Sequence, residues 1–103
     1  MNRSHFLGRL VEDPVLWDSR NSVSVSFTLE VEEYRKSKDG SKKRRTDLLN
    51  FEAWGSAART IEKYAYKNDT VAVEAIARNE SSKDSDAVIF RVTNFKIIPN
   101  NKP

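Results

Sequence analysis

The sequence predicts a mainly β fold, a five-stranded Greek-key barrel with one helix between its third and fourth strands. Three observations predict it. Residues 23–32 alternate apolar and polar side chains without a break, the mark of a long strand with one buried and one wet face. Three strand-like segments precede a single alanine-rich helical segment and two follow it. The connections are made of turn formers: EDP, DSRNS, KDGS and a polar stretch over residues 79–87. At 103 residues the chain is one domain with a small core, spanning 1–99 and followed by a short polar tail over 100–103.

Taken in order, residues 3–11 (RSHFLGRLV) read as a first strand with a bend at Gly8. Glu12-Asp13-Pro14 ends it, because proline cannot donate to a ladder. Val15, Leu16 and Trp17 form a short extended piece before the turn at residues 18–22. In the second strand Val23, Val25, Phe27, Leu29 and Val31 face inward, and Tyr34 falls on the wet parity. Lys38-Asp39-Gly40-Ser41 turns a long hairpin, with Asp-Gly as its strongest signal. The return strand, Thr46 to Trp54, puts Leu49, Phe51 and Ala53 on the core side and Leu48, Asn50, Glu52 and Trp54 on the other. Gly55 ends that strand, and Ser56 is placed to cap a helix over residues 57–65 through its hydroxyl. Ala57, Ile61 and either Tyr64 or Ala65 supply the inward stripe, and Asn68 the left-handed position that closes the helix. The fourth strand runs from Val71 to Arg78 and the fifth from Val88 to Ile98. Strand, strand, strand, helix, strand, strand is the connectivity of the OB-fold, which offers the outer face of its second and third strands to nucleic acids or sugars.

Composition narrows the function. No apolar run approaches the roughly 18 residues of a membrane span, and nothing near the N-terminus reads as a signal peptide. With no cysteine there are no disulfides or thiolate metal sites, which fits a reducing, cytoplasmic setting. His5 is the only histidine and no carboxylates converge in sequence, so no metal, cofactor or catalytic site is expected. Glu52 and Glu74 read as solvated or salt-bridged surface.

The net charge of +3 is unevenly spread. Arg35, Lys36, Lys38, Lys42, Lys43, Arg44 and Arg45 stand against Asp39 alone, a net +6 that leaves −3 on the remainder. Such a patch suits a polyanion, or is a solvated loop that only aids solubility. Beside it Trp54 opposes the core parity, which favours exposure. Phosphates call for positive charge and unstacked bases for a flat apolar face, so this combination points to single-stranded nucleic acid. Trp17 fits a core edge or a stacking position equally well.

The pieces together resemble the bacterial and phage single-stranded DNA-binding proteins, over residues 2 to about 98. NRSHFLGRL with EDP is similar to that family's first strand and turn, FTLEV to its second strand, and TDLLNFEAWG to its third. SAARTIEKYAYKND is similar to its helix, DTVAVEAIAR to its fourth strand and VTNFKII to its fifth. The resemblance implies that Trp54 and Tyr34 stack on bases, that Leu48 gives apolar contact where many members have an aromatic, and that Asn50 and Arg3 contact DNA. Arg78, ending the fourth strand, joins the basic set. Trp17 replaces a usual arginine, Glu30, Glu32 and Glu33 bring negative charge into the groove, and Ala72 and Ser82 replace frequent aromatics.

What the resemblance implies is non-catalytic, sequence-independent binding and protection of single-stranded DNA in replication, recombination or repair, by a homo-oligomer, dimer or tetramer, built through the first strand and the sheet faces. The family's long tail with its acidic tip is not seen here, so tail-mediated recruitment of proteins is not expected, as in a short phage or plasmid form. A primosome-type module bridging DNA and a partner protein is the alternative. A small nuclease is disfavoured for want of clustered carboxylates, and RNA is an open ligand because stacking does not test the 2′-hydroxyl.

Overall fold

The computed structural model describes residues 1–80 and 87–100. Its elements are β1 (Ser4–Leu10), β2 (Val15–Ser19), β3 (Ser22–Lys36), β4 (Lys42–Trp54), α1 (Ser56–Tyr64), β5 (Thr70–Asn79) and β6 (Val88–Ile98). The strands form one sheet in the order β1-β5-β6-β4-β3-β2. A further pairing, Arg9 with Glu30 and Leu10 with Leu29, joins β1 to β3 and closes β1, β5, β6, β4 and β3 into a ring. The expected mainly β OB architecture is therefore present, with β2 as an added edge strand on β3.

The core fills the ring. The alternation of β3 buries Val25, Phe27 and Leu29; β4 adds Phe51 and Ala53, β5 Val71, Val73 and Ala75, and α1 Ala58 and Ile61. Phe51 is the hub, stacked on Phe27 at 5.4 Å between ring centres and 5.5 Å from both Phe6 and Phe90. Gly8 sits where β1 passes over β3: a Cβ there would lie 2.8 Å from the Glu30 carbonyl oxygen. The glycine expected to bend the strand is thus required by close approach of two backbones.

Five local expectations are corrected. Residues 15–19 are a paired strand, with Trp17 opposite Ser24 and a turn at Arg20-Asn21. The β3–β4 ladder runs out to Lys36 opposite Lys42, so the return strand begins four residues before Thr46. Gly55, at φ 68°, takes the N-cap position and Ser56 is the first helical residue, without a side-chain cap bond. The helix ends at Tyr64 with Ala65 already extended and buried; Tyr64 is exposed, which settles the inward stripe on Ala65. Asn68 is left-handed as expected, at φ 78°, but it serves the next turn, where Asp69 N–H donates to the Tyr66 carbonyl at 3.0 Å. The buried Asp69 carboxylate accepts from the Tyr66 and Asn100 amides, pinning that turn to the end of the chain. Ser82 and most of the 79–87 stretch lie outside the described residues; β5 and β6 are paired up to Asn79 opposite Val88.

Candidate nucleic-acid interface

The β3–β4 ladder keeps one register from Ser24 opposite Trp54 to Lys36 opposite Lys42, with no bulge. Side-chain parity is therefore preserved over its whole length. Ser24, Ser26, Thr28, Glu30, Glu32 and Tyr34 share the outer face with Trp54, Glu52, Asn50, Leu48, Thr46 and Arg44. Its large residues are open to solvent: Tyr34 is 63 % exposed, Leu48 62 %, Trp54 45 % and Trp17 61 %. Four large apolar side chains thus share one solvent-facing surface, and Trp17 is on it rather than in the core.

Their spacing follows from the register. Trp17, Ser24 and Trp54 lie in one row across β2, β3 and β4, so the two indoles stand about 10 Å apart at ladder spacing. Trp17 Nε1 donates to Ser26 Oγ at 3.0 Å, which holds its ring on this face. Leu48 is six residues from Trp54, about 20 Å, and Tyr34, opposite Arg44, about 33 Å. Asn50 sits between them and accepts from the Thr28 hydroxyl at 2.9 Å.

The hairpin cations divide by parity. Lys36, Lys42 and Arg44 are on the Trp54 side; Arg35, Lys43 and Arg45 are on the other, and Lys38 is in the turn. Arg44 is paired with Glu32 at 3.5 Å and Arg45 with Asp47 at 3.3 Å. The turn is tied by Asp39, whose carboxylate accepts from the Ser37 and Ser41 hydroxyls and from the Ser41 amide. Those hydrogen bonds, Ser37 first, hold its carboxyl far below the usual carboxylate range. Two of the groove glutamates are matched by arginine: Glu30 pairs with Arg9 at 2.8 Å and Glu32 with Arg44. Glu33 has the opposite parity and leaves this face altogether.

Two expected residues stand apart. Arg3 pairs with Glu74 at 3.6 Å, on the outer side of β1 and β5, where His5 Nε2 also meets Glu74 at 3.1 Å. Arg78 is exposed on β5 opposite Ile89. One residue was missed. Arg91 of β6 is the ladder partner of Glu52, and its guanidinium lies over the Trp54 ring, 5.5 Å from the ring centre. Arg91 is the only polar residue of VIFRV, which could have marked it as outward-facing; its neighbour could not be read, because the β4–β6 pairing is long-range.

Among the described residues no cluster of His, Cys, Asp or Glu could hold a metal ion, and no helix is long and apolar enough to cross a membrane. A closed small barrel with aromatic, apolar and cationic side chains spread along the outer face of its longest hairpin is an OB-type binding domain. The chain belongs to the Single-strand binding protein family, whose model matches residues 1–101. In fold it is similar to a deletion variant of the single-stranded DNA binding protein from Thermus aquaticus, with a TM-score of 0.84 at 13 % identity. That match covers 98 % of this chain and 52 % of the other, so this chain spans about half the length of that protein. It is also similar to the small single-stranded DNA-binding protein from Streptomyces coelicolor, with a TM-score of 0.76 at 18 % identity, over 93 % of each chain. By sequence, no curated protein matches.

Proposed function

We propose that the protein binds and protects single-stranded DNA without regard to sequence, as a non-catalytic component of replication, recombination or repair. The observation that carries this is the row of outward-facing tryptophans, Trp17 and Trp54, continued along the hairpin by Leu48 and Tyr34. Stacking contributes roughly 1–3 kcal/mol per base and accepts any base. Asn50, Arg3, Arg78 and the hairpin cations Arg35, Lys36, Lys38, Lys42, Lys43, Arg44 and Arg45 complete the set of contact residues. The protein acts as a homo-oligomer through β1, where Leu7 is exposed beside Ala72 on β5.

The test is a fluorescence titration with oligo-dT, a mixed-sequence strand and the matching duplex, with light scattering for stoichiometry. Both single strands bind tightly and the duplex weakly, since paired bases cannot reach Trp54. Trp54→Ala weakens oligo-dT binding about 5- to 150-fold. Equal affinity for single strand and duplex at moderate salt refutes the reading.

A further inference from the structure

Trp54 does not stand alone on its face. A single carboxylate oxygen, Glu52 Oε2, accepts both the Trp54 indole N–H and Arg91 Nε–H, the latter at 2.9 Å. The guanidinium is thereby held over the indole ring. Glu52 is well shielded for an ion-pair carboxylate, with 17 % of its side chain exposed against 37 % for Arg91. Further along the face a carboxylate again bridges an aromatic polar group and an arginine. Glu32 Oε2 accepts the Tyr34 hydroxyl at 3.1 Å while Oε1 meets Arg44 at 3.5 Å. In both cases the carboxylate lies two residues before the aromatic on one strand, and the arginine comes from the neighbouring strand.

A carboxylate in a groove that takes up phosphates is costly by Coulomb repulsion unless it does something in return. Here it satisfies the indole N–H, which fixes the ring about its side-chain torsions, and it lays a cation against the ring. Both reduce the freedom that a base must otherwise remove on stacking, which is the gain from preorganisation. Arg91 uses its Nε toward Glu52, so its two terminal nitrogens stay available to a phosphate.

We propose that Glu52 is a positioning residue for base stacking, holding Trp54 and Arg91 as one preformed, charge-neutral unit, and that Glu32 does the same for Tyr34 and Arg44. The proposal rests on the reading that Trp54 stacks on bases, and it makes a prediction opposite in sign to simple electrostatics. Removing a negative charge from a DNA-binding face ordinarily tightens binding and steepens the salt dependence. Glu52→Ala instead weakens oligo-dT binding about tenfold at low and high salt alike, because the lost bonds involve a charged group. Glu52→Gln keeps a carbonyl acceptor and falls between the two.

The experiment is a double-mutant cycle of Glu52→Ala with Trp54→Ala, titrated by fluorescence anisotropy of labelled oligo-dT. In the Trp54→Ala background Glu52→Ala has no weakening effect, since it acts through the ring. In a Trp17→Phe protein, where Trp54 is the sole indole, its emission anisotropy without DNA falls when Glu52 is replaced. Tighter binding by Glu52→Ala makes Glu52 a mere repelling charge and overturns the proposal. Equal weakening in both backgrounds means a general loss of structure and overturns it as well. If Trp54→Ala itself binds like the unmodified protein, the stacking reading fails first and is distinguished from failure of this inference.

Discussion

The basic hairpin is the clearest place to test how charge and stacking share the work. Four of its cations, Lys42, Lys43, Arg44 and Arg45, lie on β4. Arg44 and Arg45 are each engaged by a carboxylate, Glu32 and Asp47, whereas among the described residues no carboxylate lies within ion-pair reach of Lys42 or Lys43. Each phosphate neutralised on a single strand contributes about −0.7 to the log–log salt slope. Lys42→Ser/Lys43→Ser therefore makes the slope shallower by about 1.4. Arg44→Ser/Arg45→Ser changes it by less than about 0.7, because an arginine that takes a phosphate leaves its carboxylate behind. Replacing all four removes about 2 units, with affinity lost mostly at low salt and equally for every base composition. Trp54→Ala does the reverse, lowering affinity at all salts and leaving the slope nearly unchanged.

Length sharpens the test. Lys42 is twelve ladder positions from Trp54, about 40 Å, several times the Debye length of about 8 Å at physiological salt. The hairpin cannot act on a base at Trp54 from a distance; it must touch the strand. Forty ångströms is about a dozen stacked nucleotides at 3.4 Å each. The lysine double variant thus behaves like the parent with a pentanucleotide and differs with a strand of several dozen. The assay is equilibrium titration at a series of salt concentrations. An unchanged slope with the long strand shows the hairpin to be a solvated loop and refutes the reasoning.

Three further outcomes are expected. Gly8→Ala destabilises the barrel by about 1–3 kcal/mol, read by urea denaturation, because the added Cβ meets the Glu30 carbonyl of a paired strand that cannot retreat. Leu7→Arg puts a charge on the exposed face of β1 beside Arg9 and Ala72 and shifts the proposed oligomer toward monomer in light scattering; an unchanged mass contradicts a subunit contact through β1. Asp39 has a folded pKa depressed below its unfolded value, so its hold on the turn is complete above the ordinary aspartate range near 3.9 and is lost as pH falls toward the folded value. Ser41 amide exchange, normalised for intrinsic rate, therefore stays protected from pH 7 down to about pH 4; loss of protection above pH 5 contradicts the assignment of Asp39 as the tie.

Much of the fold was legible because the alternation of residues 23–31 and 49–53 is unbroken and a core can be filled in only one way from it. The hairpin was legible from Asp39-Gly40, but its register was not: the ladder is centred on Asp39, setting Tyr34 against Arg44 and Ser24 against Trp54, whereas a two-residue Asp-Gly turn would shift each pair by one. The outer stretch of β4 was hidden because four successive cations show no apolar period, yet the ladder bonds form regardless of what the side chains are. The short β2 was hidden because five residues carry too little pattern, and its strand character comes from pairing with β3. The helix cap was misassigned because Gly55 accepts the positive φ of the strand-to-helix turn and so occupies the position expected for Ser56. Arg91 and its contacts with Glu52 and Trp54 depend on parallel pairing of β4 with β6, between segments 39 residues apart, which local pattern cannot show.

The distribution of ion pairs also explains how one small surface can be basic at one end and nearly neutral at the other. Three arginines along this face each have a glutamate: Arg9 with Glu30 and Arg91 with Glu52 on the barrel, and Arg44 with Glu32 on the hairpin. Paired charges at 2.8–3.5 Å cancel at a distance and give the strand little reason to approach. The Glu52–Arg91 pair also keeps a cation over the Trp54 ring, a placement that suits stacking without favouring a particular base. The cations of the hairpin outside these pairs stand beyond the ring of the barrel, on a ribbon with solvent on both faces. On the proposed function, attraction of the phosphate chain falls to the hairpin and retention of the bases to the barrel. A division of this kind lets salt weaken the first without releasing the second.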